Sequence, residues 1–462
     1  MAPFLRRRGK PARYGAAPPN GMDGHAAPEN EIRRDTAMSK TLTFVICGCG
    51  NRGLENYATY QREYPDRMKI VAGADNRPER LEILRREYGV PEDMCFASAE
   101  ELLEQPRLAD VAIIATQDRQ HVPMALKALE KGYHLLVEKP ISPSLEECRQ
   151  LQEKAHEAQR AVVVCHVLRY TTFYSNLEKI LRRGDIGKIE TIDAIENVGY
   201  WHYAHSFVRG NWRRSDETSP MILAKSCHDM DILRWLVGEK CVRVQSFGAL
   251  DYFHSGSAPE GAANRCLDGC ACKDGCPYDA EKIYVTSSRT GCRRKNVGWP
   301  CTVVASDPTE ENIYAALRSG PYGRCVFHCD NDVVDHQTVN LEFENNIHAT
   351  FTMTAFTEQT YRTIRITGTK GEIEGDINSR KLVLRRFGQP EEIIDLSGSA
   401  NNLAGHGGGD GGLMDHMYEL ISSGGTQGLT SVDASVESHV MALAAEASRV
   451  AGGKTIELAT FR

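Results

Sequence analysis

A strand-like run, Thr43-Phe-Val-Ile-Cys47, leads straight into Gly48-Cys-Gly50-Asn-Arg-Gly53. A second apolar run from Ile70 to Ala74 ends in Asp75, 22 residues past Gly53. Each piece of this layout has a physical job. The first glycine permits a tight turn, the second lets backbone approach a pyrophosphate, and the third lets the following helix pack closely. The helix start after Gly50 offers free N–H groups and a positive dipole end to phosphate. Asp75 is placed to accept hydrogen bonds from ribose hydroxyls. The segment reads as a dinucleotide-binding βαβ unit with Gly48, Gly50, Asn51, Arg52, Gly53 and Asp75 against the cofactor. A carboxylate at position 75 repels a 2′-phosphate, which favours NAD over NADP; Arg77, two residues on, works in the opposite direction.

Strand and helix keep alternating beyond Asp75. Arg77 to Tyr88 and His121 to Lys131 have helical spacing, and Asp110 to Ala115, His134 to Val137 and Val162 to Val164 are buried strands. Ser144-Leu-Glu-Glu147 is a capping box opening a further helix. Such alternation implies a parallel sheet covered on both faces, with ligands outside the carboxyl ends of the strands. Thr116, Glu138 and Lys139 fall at those ends with Gly48 and Asp75. After about residue 166 the pattern changes. A helix is predicted from Pro220 to Val237, and Gln337 to Phe343, His348 to Met353 and Thr363 to Thr367 alternate as half-exposed strands do. The expected architecture is a dinucleotide-binding domain over 38–165. An α+β domain with a large, mostly antiparallel open sheet follows over 166–462, carrying an insert at about 255–330.

Composition narrows the partners. The chain has 462 residues, 41% of them apolar, and a net charge of −7. That balance gives no electrostatic reason to expect nucleic acid or an anionic membrane. No run approaches the roughly 18 apolar residues a bilayer-spanning helix needs. Residues 1–37, with Arg6-Arg7-Arg8 and Pro18-Pro19, hold little that builds a core and lack a secretory apolar stretch. They read as a disordered tail, or as sequence ahead of a true start at Met38. The expected location is the cytoplasm, where the 15 cysteines would be reduced thiols.

Eight cysteines fall between Cys266 and Cys329. Pairs spaced at two to four residues are the habit of structural zinc ligands, and Cys266, Cys270, Cys276 and Cys329 are the candidate set. An iron–sulfur cluster and plain free or disulfide-linked cysteines are the other readings. Elsewhere, Lys139 sits at a strand end facing the crevice, where burial and a nicotinamide's charge would suit it to proton transfer. Lys225 and His228 lie three apart on the predicted helix, off its apolar stripe, either as solvated surface or facing a cleft. Trp201-His-Tyr-Ala-His205, followed by Arg213, interleaves aromatic and polar groups as a carbohydrate site does. His406 precedes a glycine run ending at Asp410.

Four motifs, in this order, give the chain its resemblance to a known family: Gly48 to Gly53, Ala115-Thr-Gln-Asp-Arg-Gln-His121, Glu138-Lys139-Pro140, and His228-Asp-Met-Asp-Ile-Leu-Arg-Trp-Leu-Val-Gly238. The chain resembles the Gfo/Idh/MocA oxidoreductases from about Met38 onwards. The resemblance implies a Rossmann domain, an open-sheet second domain, dimers or tetramers, a nicotinamide cofactor and sugar or cyclitol substrates. It implies Lys139 at substrate and nicotinamide and His228 as acid/base; Thr116, His121 and Glu138 are the further cofactor candidates, and Arg169, Tyr170, His202, Arg213 and His406 are the candidate substrate contacts. Many members carry an aspartate four residues before the histidine. Ala224 stands there, so Lys225 or His406 is expected to take its place. The reaction expected is hydride transfer from a carbinol carbon to NAD. Redox-neutral glycoside cleavage and a non-catalytic NAD-binding regulator are the alternatives.

Overall fold

The computed structural model describes residues 40–398 and 406–461. The expected tail at 1–37 lies outside these residues, as does the side chain of His406. Strands β1 (Leu42–Cys47), β2 (Met68–Ala74), β3 (Cys95–Phe96), β4 (Val111–Ile114), β5 (His134–Val137) and β6 (Val162–Val164) form a parallel sheet in the order β3-β2-β1-β4-β5-β6. All four residues of β4 are buried, as expected of a strand covered on both faces. The covers include helices α1 (Pro78–Tyr88), α2 (His121–Glu130) and α3 (Leu145–Ala158). Pro78 opens α1, where its missing N–H costs nothing, and Gly89 closes it at φ 70°. Ser144 caps α3 by accepting from the Glu147 N–H, as its spacing predicts. The chain reverses its direction of travel across the sheet at β1, so a crevice opens between the carboxyl ends of β1 and β4.

The second sheet has nine strands in the order β14-β13-β12-β11-β7-β10-β9-β8-β15. They are β7 (Ile189–Gly199), β8 (Cys241–Ala249), β9 (His336–Phe343), β10 (Ile347–Thr357), β11 (Tyr361–Gly368), β12 (Gly371–Asp376), β13 (Lys381–Arg386), β14 (Glu392–Asp395) and β15 (Ile456–Glu457). The β7–β10 pair is parallel and the other neighbours are antiparallel. Residues of β9 alternate, with Val339, Leu341 and Phe343 turned into the core. Helices α4 (Thr172–Arg182), α5 (Cys227–Val237) and α7 (Val432–Val450) pack on this sheet; α6 (Gly409–Ser422) lies against the Rossmann side. Helix α7 also touches α3 and so ties the two sheets together.

One expected element is broken. The run from Pro220 to Val237 is not a single helix: Met221–Ala224 forms one turn, Lys225 and Ser226 interrupt it, and α5 begins at Cys227. In a continuous helix the Ala224 carbonyl would accept from the His228 N–H. Here it accepts from the Lys139 ammonium instead, at 2.9 Å. Of the two readings for the polar residues of this segment, solvated surface does not describe α5. His228, Asp229 and Asp231 are all buried, and the two carboxylates are paired internally with Arg362 and Arg169.

Several histidines are folded into apolar surroundings. Burial pushes His205 and His439 down to about 3, His134 down to about 4, and His166 well below the ordinary imidazole value. Below the unfolded value near 6.5 the unfolded chain binds protons that the native state refuses. Stability is therefore present above that value and is lost as the pH falls toward the folded values. The urea midpoint should be lower at pH 5.5 than at pH 7.5. An unchanged or higher midpoint at pH 5.5 would mean that these rings charge without loss.

Candidate active site

The glycine turn has the shape its spacing predicts. Gly48 sits at φ 96°, and a Cβ there would lie 2.5 Å from the Ala115 carbonyl oxygen. A Cβ on Gly53 would lie 2.1 Å from the Gly48 oxygen. Gly50 differs: a Cβ there would meet nothing within 4 Å, so the space before it is open. That is the fit a dinucleotide requires, two glycines closing the turn and one leaving room for a pyrophosphate. At the end of β2 the Asp75 carboxylate accepts from the Arg77 N–H at 2.9 Å, with the Arg77 Nε at 3.4 Å, so the acid is held at the ribose position. This chain's residues therefore suit a nicotinamide dinucleotide laid across the ends of β2, β1 and β4.

Arg52 and His121 act behind that surface. The Arg52 guanidinium meets Glu138 Oε1 at 2.6 Å, Asp410 Oδ1 at 2.6 Å and the Tyr57 hydroxyl at 2.5 Å. Tyr57 in turn donates to Glu138. The Arg52 side chain thus braces the glycine turn to the end of β5 and to α6. Burial opposes charge on Glu138, but Arg52 and Lys139 outweigh it and hold the carboxyl below its ordinary range. Its second oxygen accepts from the Lys139 N–H at 2.9 Å, which fixes the backbone that carries the lysine. His121 is buried with Nδ1 2.7 Å from the Pro140 carbonyl and Nε2 3.1 Å from that of Thr116. It holds the loops after β4 and β5 together from below.

The reactive cluster lies where β5, β7 and the broken helix meet. Lys139 reaches the Ala224 carbonyl, one residue before Lys225. Lys225 Nζ is 3.4 Å from Oε1 of Glu196, a fully buried residue of β7. Arg362 Nε, from β11, is 2.6 Å from Glu196 Oε2 and 2.7 Å from Asp229 Oδ1. Two cations and two anions are thus enclosed together. Burial pushes the Lys225 ammonium down despite Glu196, and burial pushes the Glu196 carboxyl up. Both shifts run toward the neutral forms of the pair, because burial disfavours either charge. His228 opens the next turn, its ring 5.8 Å from that of His166, which is itself buried at the end of β6.

Three residues expected toward substrate are engaged elsewhere. Arg169 is buried, paired with Asp231 through Nε at 2.7 Å and Nη2 at 2.6 Å, and donates to the Leu429 carbonyl. It forms a buried ion pair. Tyr170 shares a 2.9 Å hydrogen bond with Thr430 Oγ1. Arg213 is held by Asp330 and Glu217. His202 remains half-buried beside Thr360 Oγ1 at 3.3 Å. Across the rim, Trp212 donates to Asp118 at 3.0 Å and Arg119 to the Ser215 carbonyl, which joins the loop after β4 to the second domain. On the other rim, Arg80 donates to the Thr302 carbonyl, so the insert touches the Rossmann domain beside the glycine turn.

The zinc expectation is not supported. Among the described residues no three His, Cys, Asp or Glu side chains are grouped to hold a metal. The cysteines are free thiols with other engagements. Cys266 lies 3.6 Å from Arg209 Nη2, Cys272 donates to the Glu260 carbonyl and Cys329 to that of Cys325. Cys270 and Cys276 line a cavity of about 20 Å³ with Cys266 and Arg209, whereas Cys329 does not. Ordinary packing orders this segment: Tyr284, Val285, Ile313 and Leu317 are buried in it.

Two family models match the chain in tandem. An NAD-binding Rossmann fold of the oxidoreductase family covers residues 42–166, and its C-terminal alpha/beta domain covers 178–458. The chain belongs to the Gfo/Idh/MocA oxidoreductase family. This Gfo/Idh/MocA protein is 24% identical over 391 residues to the putative oxidoreductase YteT of Bacillus subtilis, covering 81% of this chain and 88% of that one. It is 27% identical over 217 residues to scyllo-inositol 2-dehydrogenase (NAD(+)) of the same organism, covering 46% and 59%. A crystal structure of an oxidoreductase from Agrobacterium radiobacter, in complex with NAD+, L-tartaric acid and magnesium, superposes with a TM-score of 0.65 at 16% identity. It covers 91% of this chain and 99% of that one. Within the Gfo/Idh/MocA frame, Glu196 and Arg362 are the site residues that sequence reasoning missed. Their one signal was a charge at an inward position of an alternating strand.

Proposed function

We propose that this protein is an NAD-dependent oxidoreductase that removes hydride from a carbinol carbon of a sugar, cyclitol or related polyol. The observation that carries the reading is the enclosure of Lys139, Lys225, Glu196 and His228 beside the crevice of a family Rossmann domain. When bound, the nicotinamide supplies C4 as hydride acceptor. Lys139, held by the Ala224 carbonyl, orients the reacting hydroxyl. His228 takes its proton. Lys225, one residue after the Ala224 that stands where many members have an aspartate, takes over that residue's role, and Glu196 holds or releases the matching proton. Asp75, with its carboxylate fixed by Arg77, selects NAD over NADP.

The reading is tested by turnover of sugars and cyclitols with NAD. Net NADH formed one-for-one with an oxidised product is expected. Glycoside cleavage with no net NADH would replace this reading with redox-neutral chemistry. In the same assay Asp75→Ala is expected to weaken NAD binding by about tenfold, on the scale of one or two hydrogen bonds, and to narrow the preference over NADP. An unchanged preference would place cofactor selection elsewhere.

A further inference from the structure

Among the described residues the Cys-rich insert groups no side chains to hold a metal, yet it places an aromatic side chain beside the turn that follows β7. The carboxyl end of β7, at Gly199, runs into the turn Tyr200–Tyr203. The Trp201 and His202 rings stack there, with centroids 5.7 Å apart at 30°. Trp299 comes back from the insert to complete a platform, 5.2 Å from Trp201 and 4.9 Å from His202. The platform is held from behind. His205, buried beneath Trp299 at 5.3 Å, bonds to the Tyr284 hydroxyl at 2.9 Å and stacks on Tyr322 at 4.8 Å, both residues of the insert. Trp299 nevertheless keeps 38% of its surface exposed. A rigid, half-exposed indole ringed by further aromatic and polar groups is how proteins hold the C–H faces of a sugar.

Its position relative to the chemistry gives the platform a meaning. Glu196, the partner of Lys225, precedes Gly199 by three residues on the same strand. At strand rise that is about 10 Å, more than the width of one sugar ring. Thr360 Oγ1 ties the end of the strand to the platform by accepting from the Gly199 N–H and contacting His202. Arg289 and Glu358 stand close by as exposed hydrogen-bonding groups.

We infer that Trp201, His202 and Trp299 form a subsite for a second sugar ring, so that the substrate is a glycoside or short oligosaccharide and not a free monosaccharide or cyclitol. This rests on the sugar-oxidising reading above and sharpens its substrate class. The test compares the full chain with Trp299→Ala and Trp299→Phe in the presence of NAD. Cellobiose, maltose and melibiose are the probes, with glucose and galactose as controls. At least one disaccharide should be turned over with higher kcat/KM than its monosaccharides. Trp299→Ala should remove about tenfold of that advantage, the scale of one lost aromatic contact. The phenylalanine variant should restore most of it, and the monosaccharide values should stay within about twofold. Equal losses on both classes, or no disaccharide advantage in the wild type, would overturn the inference. If no sugar is turned over at all, the reaction reading fails and the subsite is judged by binding alone. Tryptophan fluorescence quenched by a disaccharide in wild type but not in Trp299→Ala then supports it. Absence of binding, or binding that survives the substitution, overturns it.

Discussion

Lys225→Met is expected to lower kcat by about 10²–10⁴-fold, the usual range for loss of a positioned proton-transfer group, while NAD binding changes little. The cause is the enclosure beside β7. Burial holds the Lys225 ammonium down, and Glu196 at 3.4 Å offers the alternative seat for the proton. A methionine fills similar space but moves no proton. Lys225→Arg should be as inactive, because a guanidinium stays charged at every working pH. In the wild type, kcat/KM should rise with pH through a value below the ordinary lysine range, as the neutral amine becomes available. The checks are kcat, a fluorescence titration with NAD, and the melting temperature of each variant. A Lys225→Met protein with near wild-type kcat would remove this lysine from the chemistry and leave His228 to act with another group.

The second large effect concerns stability. Arg169→Ala should destabilise the fold by about 3–5 kcal/mol, because it leaves Asp231 buried without its partner. Both Asp231 oxygens face the guanidinium, and the residue is otherwise enclosed in α5. Burial already pushes the Asp231 carboxyl up, and Arg169 is the chief opposing influence. The double variant Arg169→Met with Asp231→Leu should recover much of the loss, since no unpaired charge then remains inside. Urea unfolding of the three proteins measures this. If Arg169→Ala instead raised KM and left the urea midpoint unchanged, the arginine would be a substrate contact after all.

The contrast between these two arginine and lysine sites shows what was legible in the chain. The glycine turn, the alternation of buried strands with helices and the acid ending β2 follow from local spacing. Short-range sterics and strand periodicity decide them, and the same rules act wherever the segment sits. The alternating strands of the open sheet were legible for the same reason. The partners of Lys225, Arg169 and the cysteines were not, because they depend on which distant chain meets each residue. Nothing near Lys225 in sequence announces Glu196, 29 residues earlier, or Arg362, 137 residues later. The helix break at Lys225–Ser226 was hidden too, since Met221 to Val237 has good helical spacing throughout. A competing donor, the Lys139 ammonium, takes up the carbonyl that would have continued the ladder. The cysteine spacing suggested metal, but their thiols turn to backbone carbonyls and to Arg209, and apolar packing orders the segment.

The most direct measurement follows the hydrogen itself. A substrate identified by turnover is prepared with deuterium on the carbinol carbon and incubated with the enzyme and NAD in ordinary water. Deuterium recovered on C4 of the reduced nicotinamide, with a primary isotope effect that persists in Lys225→Arg, is the expected result. Deuterium lost to solvent, or kept in the product with no reduced nicotinamide at the end, would contradict net hydride transfer to NAD.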